Sequence, residues 1–144
     1  MKVADWLERH TVTGVTIERE ASLEEAARAL LGKPECRDIY VTDTDGRVVG
    51  HLGFQQLADV LLYRSTYSRR QMLERVAPGP VYEFMDQRFI SVRPDEHVYD
   101  ALYKNMERWV EDIPVLDENS RLMGIIRLVD LVRSVIEPPD QGCH

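Results

Sequence analysis

The chain has 144 residues, 44% hydrophobic and 30% charged, the composition of an ordinary globular protein with one compact domain or two very small ones sharing a core. Its 25 acidic against 18 basic residues leave a net charge of −7, which repels phosphate backbones and argues against nucleic acid as a partner. With no basic-then-apolar opening and no run of ~18 apolar residues, direct membrane insertion is not expected and a cytoplasmic location is.

The elements read in chain order as follows. An opening segment Val3-Ala4-Asp5-Trp6-Leu7 leads to a short β-branched strand, Val15-Thr16-Ile17. Leu23, Ala26, Ala27, Leu30 and Leu31 then recur with the 3.6-residue period of an amphipathic helix, and Ser22 with Glu25 has the spacing of a capping box. A hairpin follows, with strands Asp38 to Thr42 and Arg47 to Leu52 around Asp45-Gly46 read as a two-residue turn. Phe54, Leu57, Ala58 and Leu61 mark a closing helix. Tyr63 to Val76 is expected to prolong that helix, with room for a bend, until Ala77-Pro78-Gly79-Pro80 breaks it. Arg64, Arg69, Arg70 and Arg75, interleaved with Tyr63 and Tyr67, read as a solvated or partner-facing surface rather than a ligand contact.

The same order then returns. Val81 to Met85 matches Val3 to Leu7 at an offset of 78, Ile90-Ser91-Val92 matches Val15 to Ile17 at 75, and Ile113-Pro114-Val115-Leu116-Asp117 matches Ile39 to Asp43 at 74. The second helix carries Val98, Ala101, Leu102, Met106, Trp109 and Val110 as its apolar stripe, with Asp95 as its cap. A hairpin turning near Asn119-Ser120 leads into Leu122 to Arg127, and Leu128, Leu131, Val132 and Val135 mark the last helix. One supersecondary unit is thus duplicated. The expected fold is α/β (α+β): two β-α-β-β-α repeats, 3–62 and 81–136, packed with pseudo-two-fold symmetry. A helical linker, 63–80, joins them, and a frayed tail, 137–144, follows.

No catalytic constellation accompanies this pattern, so the chain is not expected to be an enzyme. Cys36 and Cys143 are far apart and outside any CxxC spacing. His10, His51, His97 and His144 lack the HxxxH or HExxH spacing of a metal site, and Ser22, Ser91 and Ser134 lack a nucleophile elbow.

The duplicated order, the strand ending Ile-Pro-Val-Leu-Asp (113–117), Met85-Asp86 followed by Ile90 to Asp95, and Gly124-Ile125-Ile126 before a helix containing Asp130 together resemble the CBS domain family. Specifically they resemble a stand-alone tandem pair, the Bateman module, over Val3 to about Ile136. The resemblance implies two related clefts between the repeats, which in many members bind AMP, ADP, ATP or S-adenosylmethionine. It also implies a homodimer and regulation of an enzyme, channel or transporter.

Residue by residue, the resemblance places Asp130 where a family carboxylate accepts hydrogen bonds from ribose hydroxyls. The alternative for Asp130 is a solvated carboxylate complementing a helix dipole. Arg127 replaces the usual hydroxyl residue: it contacts phosphate, fills the cleft, or pairs with Asp130. Val12, Gly14, Cys36 and Arg37 would wall the base, with Gly14 also readable as a loop glycine and Arg37 as either a phosphate contact or an exposed strand residue. Tyr40 either stacks on a base or packs in the sheet. The second cleft has Gly53 and Gln56 in place of both anchors and is expected to be empty or weak. A regulatory module sensing an adenosyl nucleotide, with or without magnesium, is the leading expectation. A protein-interaction module without nucleotide is the alternative.

Overall fold

Ser22 and Glu25 build the helix start that their spacing predicts. Glu25 N–H donates to Ser22 Oγ (3.1 Å) and Ser22 N–H to Glu25 Oε2 (3.2 Å), satisfying two donors that a helix start would otherwise leave unpaired. The computed structural model describes residues 1–63 and 66–137. Arg64, Cys143, His144 and the rest of the tail from 138 onward lie outside the described residues.

The first repeat comprises α1 (Val3–Arg9), β1 (Val15–Glu18), α2 (Leu23–Leu31), β2 (Asp38–Thr42), β3 (Val48–Gly53) and α3 (Phe54–Ala58), which runs into a π-helical turn over Asp59–Tyr63. α4 (Arg69–Arg75) and a 3-10 turn (Val81–Glu83) lead to α5 (Val98–Arg108), β4 (Asp112–Leu116), β5 (Leu122–Arg127) and α6 (Leu128–Ile136). β1 pairs parallel with β2, and β2 antiparallel with β3; β4 pairs antiparallel with β5.

Several expectations are corrected. The stretch after Tyr63 does not prolong α3: Ser68 starts a separate helix, accepting from Gln71 N–H at 3.2 Å while Gln71 Oε1 accepts from Ser68 N–H at 2.9 Å. Ile90-Ser91-Val92 is not a full strand. Only Val92 bridges Val115, through Val92 N–H to Pro114 O and Leu116 N–H to Val92 O. The next rung would need an N–H from Pro114, which has none, so the ladder stops. The cap of α5 is His97, whose Nδ1 accepts from Tyr99 N–H at 3.0 Å, not Asp95.

Both hairpin turns are three-residue loops, so Asp45-Gly46 is not a two-residue turn, while the second does turn at Asn119-Ser120. Asp43 Oδ1 accepts from the N–H groups of Asp45 and Arg47, and Asp117 Oδ1 from those of Asn119 and Arg121. Gly46 (φ 83°) and its counterpart Ser120 (φ 63°) take the left-handed position that such a loop requires.

The core divides into two clusters, and the opening segments are exchanged between them. Val3 and Trp6 of α1 pack with Val92, Val98, Ala101, Ile113, Val115 and Ile126 of the second repeat. Val81, at the start of the second repeat, packs with Leu23, Ile39, Val41 and Leu52 of the first. Backbone bonds secure both exchanges: Val3 N–H to Glu96 O, and Val81 N–H to Ala21 O, each 2.8 Å. Along β5, Ile125 joins the first cluster and Ile126 the second, since successive strand residues face opposite sides. Full burial of side chains of this size stabilises by about 1.5–3 kcal/mol each, so the exchange ties each repeat to the other.

The helical stripes reach the core only in part. Leu31, Leu102, Met106, Trp109, Val132 and Val135 are exposed, although their spacing assigns them inward. In α5 the buried face is Val98, Ala101 and Asn105, and the amide of Asn105 both donates to Val110 O and accepts from Val110 N–H (2.9 Å each). That pair closes the helix while Trp109 turns out with φ 39°.

Candidate functional site

The two repeats meet at strand starts. Asp38 opens β2 and Asp112 opens β4, separated by the repeat offset of 74. Asp112 Oδ2 accepts from the N–H groups of Arg37 (2.5 Å) and Asp38 (3.0 Å). Asp38 Oδ2 accepts from those of Glu111 (3.0 Å) and Asp112 (2.9 Å). Both carboxylates are buried. Burial pushes Asp112 up to about 6, with the charge of Asp38 adding to the rise and the Arg37 N–H opposing it. Tyr40, fully buried, donates its hydroxyl to Asp112 O (2.5 Å), so it belongs to this joint and to sheet packing and offers no face to a base.

On one side of the joint lies a cavity of about 380 Å³. Gly53 and Gln56 form its floor at the start of α3, where Gln56 Oε1 accepts from Gly53 N–H (2.6 Å) and its amide NH2 is left over. Arg37, Arg88 and Arg108 line the walls with the rings of Phe54 and Trp109. The Arg37 guanidinium lies 4.1 Å from the Phe54 ring centre and 3.4 Å from Glu111 Oε2, and Arg108 is 3.5 Å from Asp86 Oδ2. His51 also lines this space, its Nε2 2.7 Å from Asp38 Oδ1. Chemically the cleft offers guanidinium groups for negative oxygens and aromatic faces for a planar group, with Asp38, Asp86 and Glu111 lining the same space and already pairing with His51, Arg108 and Arg37.

The pseudo-equivalent place on the other side is filled. Arg127 makes a bidentate pair with Asp130, Nε to Oδ2 at 2.9 Å and Nη2 to Oδ1 at 3.0 Å, and Arg133 adds a third bond at 3.2 Å. Arg127 Nη1 also donates to Glu35 O (3.2 Å). Asp130 is only 6% exposed. The carboxylate holds Arg127 above even the usual guanidinium range.

Of the residues the sequence singles out, Val12, Gly14, Cys36, Arg127 and Asp130 gather on this filled side. Val12 O accepts from Ile125 N–H (3.3 Å). A β-carbon at Gly14 would lie 2.9 Å from both Ile125 and Leu122, so its missing side chain admits neighbouring side chains of β5. Cys36 is buried, and burial pushes its thiol up to about 11. Arg37 separates from this group: its guanidinium faces the cavity of Gly53 and Gln56 instead. Both residues lie in the loop just before β2, where Cys36 turns into the first core cluster and Arg37 turns out to the cavity.

Sequence reasoning misses the paired carboxylates Asp38 and Asp112, although their shared offset was a usable signal. It also misses His51, Phe54, Arg88, Arg108 and Trp109 as cavity residues, because elements distant in sequence bring them together. Among the described residues, no group of three or more His, Cys, Asp or Glu is placed to hold a metal ion, and no helix is long and apolar enough to cross a membrane.

The CBS domain matches the chain twice, over residues 10–63 and 81–137. The chain belongs to the CBS domain family. Its α/β fold of two repeats is that of solved CBS pairs. A CBS domain-containing protein of Thermotoga maritima superposes with a TM-score of 0.77 at 20% identity, with 98% of each chain covered. A CBS domain pair solved with 5′-methylthioadenosine and S-adenosyl-L-methionine gives 0.69 at 23% identity, over 92% of this chain and 94% of that one. The cytosolic domain of the magnesium channel MgtE, solved with ATP, gives 0.64 at 24% identity, over 83% and 44%. Among curated proteins, a homoserine O-acetyltransferase of Methanohalobium evestigatum is 25% identical over 122 residues. This CBS pair spans 22% of that protein's length, with 85% of its own chain aligned.

Proposed function

We propose that this CBS pair is a regulatory, non-catalytic module that binds an adenosyl nucleotide in an inter-repeat cleft and thereby changes its affinity for a partner protein. The observation that carries the reading is the cavity of about 380 Å³ where three guanidinium groups and two aromatic rings meet beside the inter-repeat joint. Ligand pockets run from ~300 to 1,000 Å³ with a few placed polar groups, and this one lies within that range. Arg88 and Arg108 are assigned to phosphate or carboxylate oxygens, Phe54 and Trp109 to the base, and the free amide of Gln56 to a ribose hydroxyl.

This reading moves the primary ligand from the Asp130 side to the side of Gly53 and Gln56, and assigns Arg37 to the latter. Asp130, with Val12, Gly14, Cys36 and Arg127, forms the closed counterpart. The two solved relatives holding adenosyl compounds support the ligand class, AMP, ADP, ATP or S-adenosylmethionine, and ATP would arrive with magnesium. The channel domain supports an enzyme, channel or transporter as the partner. A cytoplasmic location fits such a role.

Sensing requires that the ligand prefer one arrangement of the repeats over another. The cavity contains His51 and Asp38, and Asp38 accepts the backbone of the second repeat, so a ligand there acts directly on the joint.

A thermal-shift titration with AMP, ADP, ATP and S-adenosylmethionine, with and without magnesium, tests this. A ligand at 100 times its Kd stabilises by ~2.7 kcal/mol, a rise of several degrees for a chain of this size. No shift with any of them overturns the reading.

A second reading, a protein-interaction or oligomerisation module without nucleotide, has its own supporting observation. Tyr99, Leu102, Tyr103 and Met106 of α5 and Val129, Val132, Val135 and Ile136 of α6 are all exposed. Beside them a groove of about 630 Å³ runs along α1, α5 and α6. So much uncovered apolar surface suits a homodimer.

A further inference from the structure

Gly53 and Arg127 hold the same place in the two repeats. They are 74 residues apart, as are Gln56 and Asp130. Each is the residue immediately before a helix, with the same extended backbone: φ −85° for both, ψ 161° for Gly53 and 132° for Arg127. Pseudo-symmetry therefore supplies two equivalent places beside the joint. The one at Gly53 opens into a cavity that Gly53 and Gln56 both line, whereas at the other Arg127 is folded onto Asp130, which borders instead the groove along α1, α5 and α6. A β-carbon at Gly53 would already lie 3.1 Å from Asp38 Oδ1 and 3.4 Å from His51 Cε1, so any side chain there intrudes on the open space. At the other place a guanidinium reaches across to Asp130 and to Glu35 O, beside the buried Cys36.

We infer that the residue at these two matched positions decides whether a cleft is open: Gly53 leaves one open, and Arg127 is a built-in occupant of the other. The module consequently takes one ligand per chain. Arg127 fills its cleft with the features a ligand would bring, a planar cation satisfied by a carboxylate on one edge and a carbonyl on another. The count of one rests on the ligand reading above; the occupancy of the cleft by Arg127 does not.

The experiment uses the full chain carrying Cys143→Ser, so that Cys36 is the sole thiol. Arg127→Gly is compared with the parent, and Arg127→Thr serves as the second variant should glycine compromise folding. The first readout is labelling of Cys36 by N-ethylmaleimide at pH 8, with its dependence on low urea. Arg127 favours the Cys36 thiolate, so its removal disfavours the reactive form, and faster labelling can come only from access. The expected result is labelling at least about tenfold faster and insensitive to low urea, the mark of local opening rather than global unfolding. The second readout is calorimetric stoichiometry with ATP and with S-adenosylmethionine: one per chain in the parent, two in Arg127→Gly, and none in Gly53→Arg.

Unchanged labelling in a folded Arg127 variant overturns the inference, as does a parent that already binds two ligands per chain. Faster labelling with no binding of either compound by any variant upholds Arg127 as the occupant and overturns the nucleotide reading instead.

Discussion

Asp38 and Asp112 each bind the backbone at the start of the other's strand. Four backbone N–H groups, from Arg37, Asp38, Glu111 and Asp112, are satisfied by two carboxylate oxygens, one from each repeat. Neither repeat can satisfy these donors alone. The duplication is thus joined at its symmetry axis by the same residue used twice.

Removing one side of this joint leaves two buried donors unpaired. Each costs about 1–3 kcal/mol, so Asp112→Ala is expected to destabilise by roughly 2–5 kcal/mol. Urea unfolding at pH 7 checks this, with Asp38→Ala expected to fall in the same range. A loss under 1 kcal/mol for both would mean that water replaces the carboxylates without cost.

The joint also makes stability depend on pH. Asp112 titrates at about 6 in the folded chain, above the ordinary carboxylate value near 4. Between these values the folded state binds more protons than the unfolded state. The proton-linked part of Asp112's contribution is therefore fully present below pH ~4 and is lost as pH rises through about 6, by roughly 3 kcal/mol, while its bonds to the backbone N–H groups of Arg37 and Asp38 persist in the ionised form. Other carboxylates add slopes of their own, so the measurement is the difference between parent and Asp112→Asn across pH 4 to 7.5. That difference should change most between pH 4 and 6 and be flat above 7.

Trp109 pays in backbone strain for its position at the cavity. Its φ of 39° is the left-handed conformation that glycine adopts freely, and the residue is 70% exposed, so little packing holds it there. Trp109→Gly is expected to stabilise the chain by about 1 kcal/mol. If the ring covers a bound base, the same variant weakens ATP binding about tenfold, measured by calorimetry. Stabilisation with unchanged affinity would remove Trp109 from the site.

The outer faces of α5 and α6 give a prediction about assembly. Val135 is 82% exposed, so Val135→Asp should alter the stability of an isolated chain by no more than about 0.5 kcal/mol. In a homodimer closed through this face, the same change places a charge in the interface. Sedimentation equilibrium should then show a dimeric parent and a monomeric variant; a parent that is monomeric at micromolar concentration excludes a dimer through this face.

The duplication, the capping box of Ser22 and Glu25 and both hairpins were legible in the sequence, because each rests on contacts within a few residues or on a pattern repeated at fixed offset. The local reading failed where one residue changes the hydrogen-bond supply: Pro114 ends the parallel ladder, and Ser68 starts a new helix. It failed also where apolar spacing stood for burial. Val132 and Val135 have the period of a core face, but both are exposed, with no core cluster of the described residues including them.

The sequence by itself determined that one β-α-β-β-α unit occurs twice, and that Gly53 and Gln56 stand where Arg127 and Asp130 stand in the other copy. Only the tertiary structure decided what that difference does. Asp130 is taken up by Arg127 and Arg133, each three residues away, a pairing that the sequence left open among its alternatives. Which cleft Arg37 faces and where Arg127 anchors its far edge depend on residues some 70 to 90 positions apart. Sequence spacing fixes which residues share an element; the packing of elements fixes which of their polar groups are already satisfied by one another, and an unoccupied group is what a ligand can use.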